Sequence, residues 1–292
     1  MSEPSQSPGA AALGQGELAT ERSRGRYAGV AAILAGVLFP VGLIWSQVAS
    51  RDRPEHNEPA ELRFFHRHAG ELLASSALRS LALLLLAVVA FHLYRATKAR
   101  NPDLSQVVRV LSLLGPIGLA VAGFAHDVYL ASASADFTGR HFQTIQGAKD
   151  LVRGPVAVVT VGLSIGCTLA LAFWFVIGSL NAMRVGLLSR FMGVLGVIVG
   201  PAFVFGLAPL ILTFWLVSIG FLFLGRWPRG LPPAWVEGKA LPWPTRARRE
   251  SVGDVSGSRN GEVEPVGPGV RKAPEGDEGS PAQKRRKRKR RQ

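Results

Sequence analysis

Between Arg190 and Arg226 the chain runs for thirty-five residues without an Asp, Glu, Lys or Arg. As one straight helix that stretch would extend about 50 Å at 1.5 Å per residue, well past the ~30 Å hydrocarbon layer of a bilayer. Gly200-Pro201 and Gly206-Leu207-Ala208-Pro209 supply breaks inside it. Two short spans joined by a tight uncharged turn are therefore expected. Such a hairpin returns to the side it left, so the chain after Arg226 shares a face with Arg190.

The same logic extends to the rest of the chain, where 48% hydrophobic residues and only 18% charged ones are sorted into blocks. The expected fold class is all-α, a polytopic membrane protein with six transmembrane helices and disordered N- and C-terminal tails. The spans are placed at about 27–48, 72–94, 107–129, 155–180, 187–205 and 208–225. Residues 1–26 lack apolar periodicity and are expected as a disordered leader, closing on Arg22, Arg24 and Arg26. A cleaved signal peptide ending at Val48-Ala49-Ser50 is the rival for the first span, but the apolar run exceeds the 7–15 residues of a signal core. Residues 51–71 and 131–153 read as polar loops, the second with room for a short surface helix, and Gly115-Pro116 is expected to kink the third span. Residues 226–244 carry Trp227, Trp235 and Trp243 eight positions apart among prolines. These are expected as interfacial anchors, where an indole meets apolar matter and water at once.

Charge gives the orientation. With six spans and a cytoplasmic N-terminus, fifteen Lys and Arg between Arg22 and Arg249 fall on inner segments and seven on the two outer loops. The positive-inside bias then places both termini in the cytoplasm. Residues 245–292 supply +7 of the formal +14 and end in eight basic residues, Lys284, Arg285, Arg286, Lys287, Arg288, Lys289, Arg290 and Arg291. That tail is expected to be disordered and drawn to anionic lipid headgroups, with nucleic acid as the second candidate partner.

Charge inside a span is costly and points to a partner or a wet cavity. Arg79 in the second span and His126-Asp127 at the end of the third have compatible depths, and are expected either to lock two helices or to line a polar site. Gly162-Leu163-Ser164-Ile165-Gly166 matches the hydrolase pattern G-x-S-x-G, which works only at a strand-to-helix turn. Within an apolar helix the same letters spell small-x-x-x-small, so Gly162 with Gly166, and Gly196 with Gly200, are expected to pack helices, within the chain or against a second copy or another membrane protein. A Ser in the fourth of six spans resembles rhomboid proteases in layout, yet residues 207–225 contain no His to serve as base. No nucleotide, zinc or redox motif occurs, so no cofactor, metal or catalytic residue is expected. His66 and His68 are too sparse a set for a metal, and the single Cys167 allows no internal disulfide.

Leu187-Leu188-Ser189-Arg190-Phe191-Met192-Gly193-Val194-Leu195-Gly196 and Phe221-Leu222-Phe223-Leu224-Gly225-Arg226-Trp227-Pro228 resemble the C-terminal half of multi-pass membrane proteins of actinobacteria. That resemblance implies a bacterial plasma membrane and carries no assigned reaction. The role expected from the sequence is a non-enzymatic structural or envelope-associated component. The alternative is a small-solute or ion transporter or channel built on Arg79, His126 and Asp127.

Overall fold

The computed structural model describes residues 14–54, 57–228 and 230–241. Among them there is no strand, and the chain folds as α1 (Gln15–Ala49), α2 (Glu58–Arg100), α3 (Gln106–Gly139), α4 (Ile145–Val152), α5 (Pro155–Arg184), α6 (Arg190–Val204), α7 (Ala208–Phe223) and α8 (Pro233–Glu237). Four of these, α1, α2, α3 and α5, are long and apolar enough to cross a membrane. The last two helices, expected above as complete crossings, have fifteen and sixteen residues. At about 22 and 24 Å they fall short of a ~30 Å hydrocarbon layer.

The helix starts follow from local chemistry. Asn57, Ser105, Thr144 and Ser189 each accept a backbone N–H of the first turn, at 3.1–3.3 Å, opening α2, α3, α4 and α6. Pro155 begins α5, where its missing N–H costs nothing. Gly186, Gly206 and Gly225 close α5, α6 and α7 with φ of 81°, 72° and 73°. At Gly206 the Leu207 N–H returns to the Ala202 carbonyl and the Gly206 N–H to the Phe203 carbonyl. This paired closure satisfies the turn backbone without water.

Several helices outrun the apolar blocks that announced them. α1 begins at Gln15, so part of the leader expected to be disordered is helical, held by Glu21 against Arg100 at 2.8 Å. α2 begins at Glu58 inside the expected loop, because Asn57 caps it and Glu58 and Glu61 suit the positive end of the helix. That extension buries Leu62 against Phe137 and Ala148, a small core beyond the apolar blocks. α4 is the surface helix the loop had room for, and α3 runs uninterrupted through Pro116.

Side by side, the helices close a ring in which α1 packs on α2, α2 on α3, α3 on α5, α5 on α6, α6 on α7 and α7 back on α1. Small residues set the close approaches. A Cβ at Gly115 would lie 2.8 Å from the Leu171 backbone, one at Gly220 3.0 Å from the Gly29 carbonyl, and one at Gly196 2.1 Å from the Ser179 hydroxyl. Gly200 likewise sits against Ala172 of α5, as its spacing suggested. Gly162 and Gly166 do not: a Cβ at either meets nothing within 4 Å, because α5 turns Cys167 and Leu171 toward α3 and Ala172 and Ser179 toward α6. Among the described residues they pack no helix.

The ring is solid at one end and hollow toward the other. Trp174, Phe175 and Trp215 fill the half that contains the hairpin α6–α7, with ring centroids 4.9–6.4 Å apart. Phe203 and Phe39 stack onto that block from above.

Candidate functional site

The hollow follows from the hairpin's reach. Gly36 of α1 touches Thr213, Leu216 and Val217 of α7, so the start of α7 lies level with about residue 43. α1 continues to Ala49, about 9 Å farther. On the other side Gly200 touches Ala172, and α5 continues to Pro155, about 20 Å beyond the level where α6 stops. Over that distance α1, α2, α3 and α5 alone surround the interior among the described residues.

A cavity of about 600 Å³ occupies the space, floored by Phe203 and Val204 of the hairpin. Its walls include Leu43 of α1, Ser76, Arg79 and Ser80 of α2, Gly123, His126 and Asp127 of α3, and Ser164, Ile165 and Thr168 of α5. A second cavity of about 260 Å³ lies toward the ends of α1 and α2, lined by Ser46, Ser50, Arg53 and Phe65. Arg79, His126 and Asp127 line both cavities. The three residues singled out from the sequence thus meet in one septum.

The septum is an ion pair with spare capacity. Arg79 Nη2 donates to Asp127 Oδ2 at 3.3 Å, and the Ser76 hydroxyl donates to the same oxygen at 2.5 Å. Arg79 Nε is buried and has no hydrogen-bond partner among the described residues. Asp127 Oδ1 accepts no hydrogen bond within the described residues. Gly42 makes the geometry possible: a Cβ there would fall 2.8 Å from Arg79 Cγ, so the arginine stem can lie flat against α1.

His126 faces the other way. Its Nδ1 lies 3.0 Å from Thr160 Oγ1, which also lies 2.9 Å from the Val156 carbonyl. Which of Nδ1 and Oγ1 donates to the other depends on the tautomer of the ring. The fold also brings Ser164 into the cavity with His126 and Asp127, a grouping the sequence reading missed because it looked for the histidine in the last span. The set is not a triad: His126 bonds Thr160, and among the described residues neither Ser164 nor Asp127 shares a hydrogen bond with it.

At the opposite end of the ring, Arg100 reads in sequence as one cation of a basic turn, yet its side chain is 0% exposed. It donates to both Glu21 oxygens and to the Ala96 and Ala234 carbonyls, and its guanidinium lies 5.3 Å from the Trp235 ring centre. Trp235 in turn donates to the Leu187 carbonyl at 2.9 Å and stacks on His92, and Trp227 packs on the edge of the main core. Trp243 and the Lys284–Arg291 run lie outside the described residues.

No family model, no curated protein and no solved structure matches this chain.

Proposed function

We propose that this protein crosses a bacterial plasma membrane four times and holds a small ligand at Arg79, His126 and Asp127. The observation that carries the reading is that these side chains form the wall shared by two cavities. An ion pair that serves only to lock helices is best sealed between them. Here the Arg79 side chain is 31% exposed and that of Asp127 25%, with an unused donor at Nε and an unused acceptor at Oδ1 among the described residues. Of the two roles left open by the sequence, solute handling is favoured over scaffolding.

The membrane placement rests on the exposed apolar belt. Large apolar side chains are exposed on α1 from Tyr27 to Val48 and on α3 from Val107 to Val128. Each stretch is about 32 Å of helix, close to the ~30 Å of a hydrocarbon layer. The hairpin α6–α7 enters from the end that carries Arg95, Lys98, Arg184, Arg190 and Arg226 and turns back inside the layer. Its turn is apolar and exposed, Phe205 at 74% and Leu207 at 70%, which suits lipid and not water. The positive-inside bias makes the basic end cytoplasmic and keeps both termini there. α1 completes the ring between α2 and α7, so its removal as a signal peptide would open the bundle.

We infer a non-enzymatic role: among the described residues Ser164 shares no hydrogen bond with His126 or Asp127, and the Ser76 hydroxyl is held by Asp127 as part of the ion pair. The polybasic tail, Lys284–Arg291, is assigned to anionic headgroups of the same membrane, with nucleic acid as its rival partner. The structural reading keeps one support: Gly162 and Gly166 face outward on α5, where a helix of a second copy or another membrane protein could approach.

Cysteine labelling tests the ligand site. Ser46→Cys and Ser164→Cys are made in a Cys167→Ala background and treated in sealed vesicles with a small membrane-impermeant thiol reagent. Both positions react from the face opposite the basic end. Protection of both, or reaction from the basic face, overturns the reading.

A further inference from the structure

We propose that the larger cavity binds the headgroup of a zwitterionic phospholipid, phosphate on Arg79 and ammonium on Asp127, its chains leaving sideways between α1 and α5. The inference rests on the ligand site proposed above and names its occupant. Three observations carry it.

The first is an opening. α1 and α5 share no packed interface, and the hairpin that bridges them stops short of the cavity. Above Val204 the ring is open to the side. The second is the grading of that opening. Ile165, Leu169 and Val204 at its rim are 59%, 42% and 48% exposed, apolar and turned outward, whereas Ser76, Arg79 and Asp127 lie on α2 and α3, across the ring from the gap. A solute entering through this side opening would meet an apolar rim before the ion pair, whereas the polar approach, past Ser46, Ser50 and Arg53, is the smaller cavity. An amphiphile already in the leaflet meets the rim with its chains and the back wall with its headgroup.

The third observation is charge. The cluster offers one cation with a buried, unpartnered Nε–H and one anion with a free Oδ1, held together by a single 3.3 Å contact. A lone anion would face the carboxylate, and a lone cation the guanidinium, in a partly buried pocket where such repulsion is stronger than in bulk water. A headgroup that carries both signs on neighbouring atoms answers both. Arginine suits the phosphate, since it can present two parallel N–H donors to adjacent oxygens. The volume of about 600 Å³ suits a headgroup and the first carbons of its chains, the remainder staying in lipid.

Native mass spectrometry of the full chain in detergent tests the occupant with four probes: dioctanoyl phosphatidylethanolamine, dioctanoyl phosphatidylglycerol, dioctanoylglycerol and free phosphoethanolamine. The ethanolamine lipid binds at least about tenfold tighter than each of the other three. Asp127→Asn retains the hydrogen bonds to Ser76 and Arg79 but erases the preference over phosphatidylglycerol. Arg79→Lys retains the charge, lacks Nε and weakens both phospholipids about tenfold. Equal binding of the two phospholipids, binding of dioctanoylglycerol as tight as either, binding of free phosphoethanolamine as tight as the lipid, or an unchanged preference in Asp127→Asn would each overturn the proposal. If Ser164→Cys is labelled from the far face while the lipids are not distinguished, the ligand site stands and its phospholipid occupant falls. If labelling fails as well, both fall.

Discussion

Removing either partner of the Arg79–Asp127 pair should cost more than removing both. At 3.3 Å between Nη2 and Oδ2 the gross attraction is about 5 kcal/mol at an effective dielectric of 20. Most of that is offset by hydration each ion has given up, several kcal/mol in a buried setting. With the two side chains 31% and 25% exposed, a lone charge left behind costs about 2 kcal/mol, below the 3–5 of a fully buried pair. Arg79→Met and Asp127→Leu together leave no such charge. The Ser76 hydroxyl then falls back on a carbonyl of its own helix, as Ser75 already does with Leu72 at 2.8 Å. The double variant is expected to lose no more than either single one, a coupling of about 2 kcal/mol. Cys167 supplies the assay: it is the one cysteine and is 3% exposed, so a thiol-reactive dye reports unfolding in detergent. At 2–4 °C per kcal/mol for a chain of this size, each single variant lowers the midpoint by roughly 4–8 °C. A double variant whose loss equals the sum of the singles would refute the pairing.

Three further outcomes are expected. Arg100→Met strips Glu21 and the Ala234 carbonyl of their partner, so it costs about 3–5 kcal/mol and exposes the chain after Gly225 to trypsin; a protease pattern identical to the parent's would show that α8 does not depend on Arg100. Gly36→Leu drives a side chain into Val217 and Leu216, 3.1 and 3.3 Å from its Cβ, and lowers the melting midpoint by several degrees, whereas Gly162→Leu leaves it within about 2 °C. Equal effects at the two glycines would contradict the ring assignment. A peptide of residues 245–292 binds vesicles of anionic lipid and is released by salt, while equal binding to neutral vesicles would remove the lipid assignment of the tail.

The sequence shows the helices wherever an uncharged run is long, because lipid and a protein core both reward such runs. It shows the Arg79–Asp127 meeting for a related reason: two charges at matching depth in neighbouring spans have few other partners. It hides where helices end once caps take over from hydropathy, as Asn57 does for residues 58–71. Burial of Arg100 is equally silent, since Glu21 and Ala234 lie 79 and 134 residues from it. Direction fails too. Gly162 and Gly166 have the spacing of a packing face, yet the helix is rotated by its contacts through Gly115 and Gly196, and one heptad of Gly29 and Gly36 that does touch α7 went unread. The cavity itself was visible only as a deficit: thirty-five uncharged residues suffice for two helices, but not for two that cross completely once the turn and caps are subtracted.

The depth of the hairpin turn tests the account most directly. A spin label on Leu207→Cys, in a Cys167→Ala background reconstituted into bilayers, should be strongly relaxed by dissolved oxygen and scarcely by a water-soluble nickel complex, placing the turn inside the hydrocarbon layer. A label relaxed chiefly by the nickel complex would put the turn in water on the far side, give two complete crossings, and remove the lateral opening on which the phospholipid proposal depends.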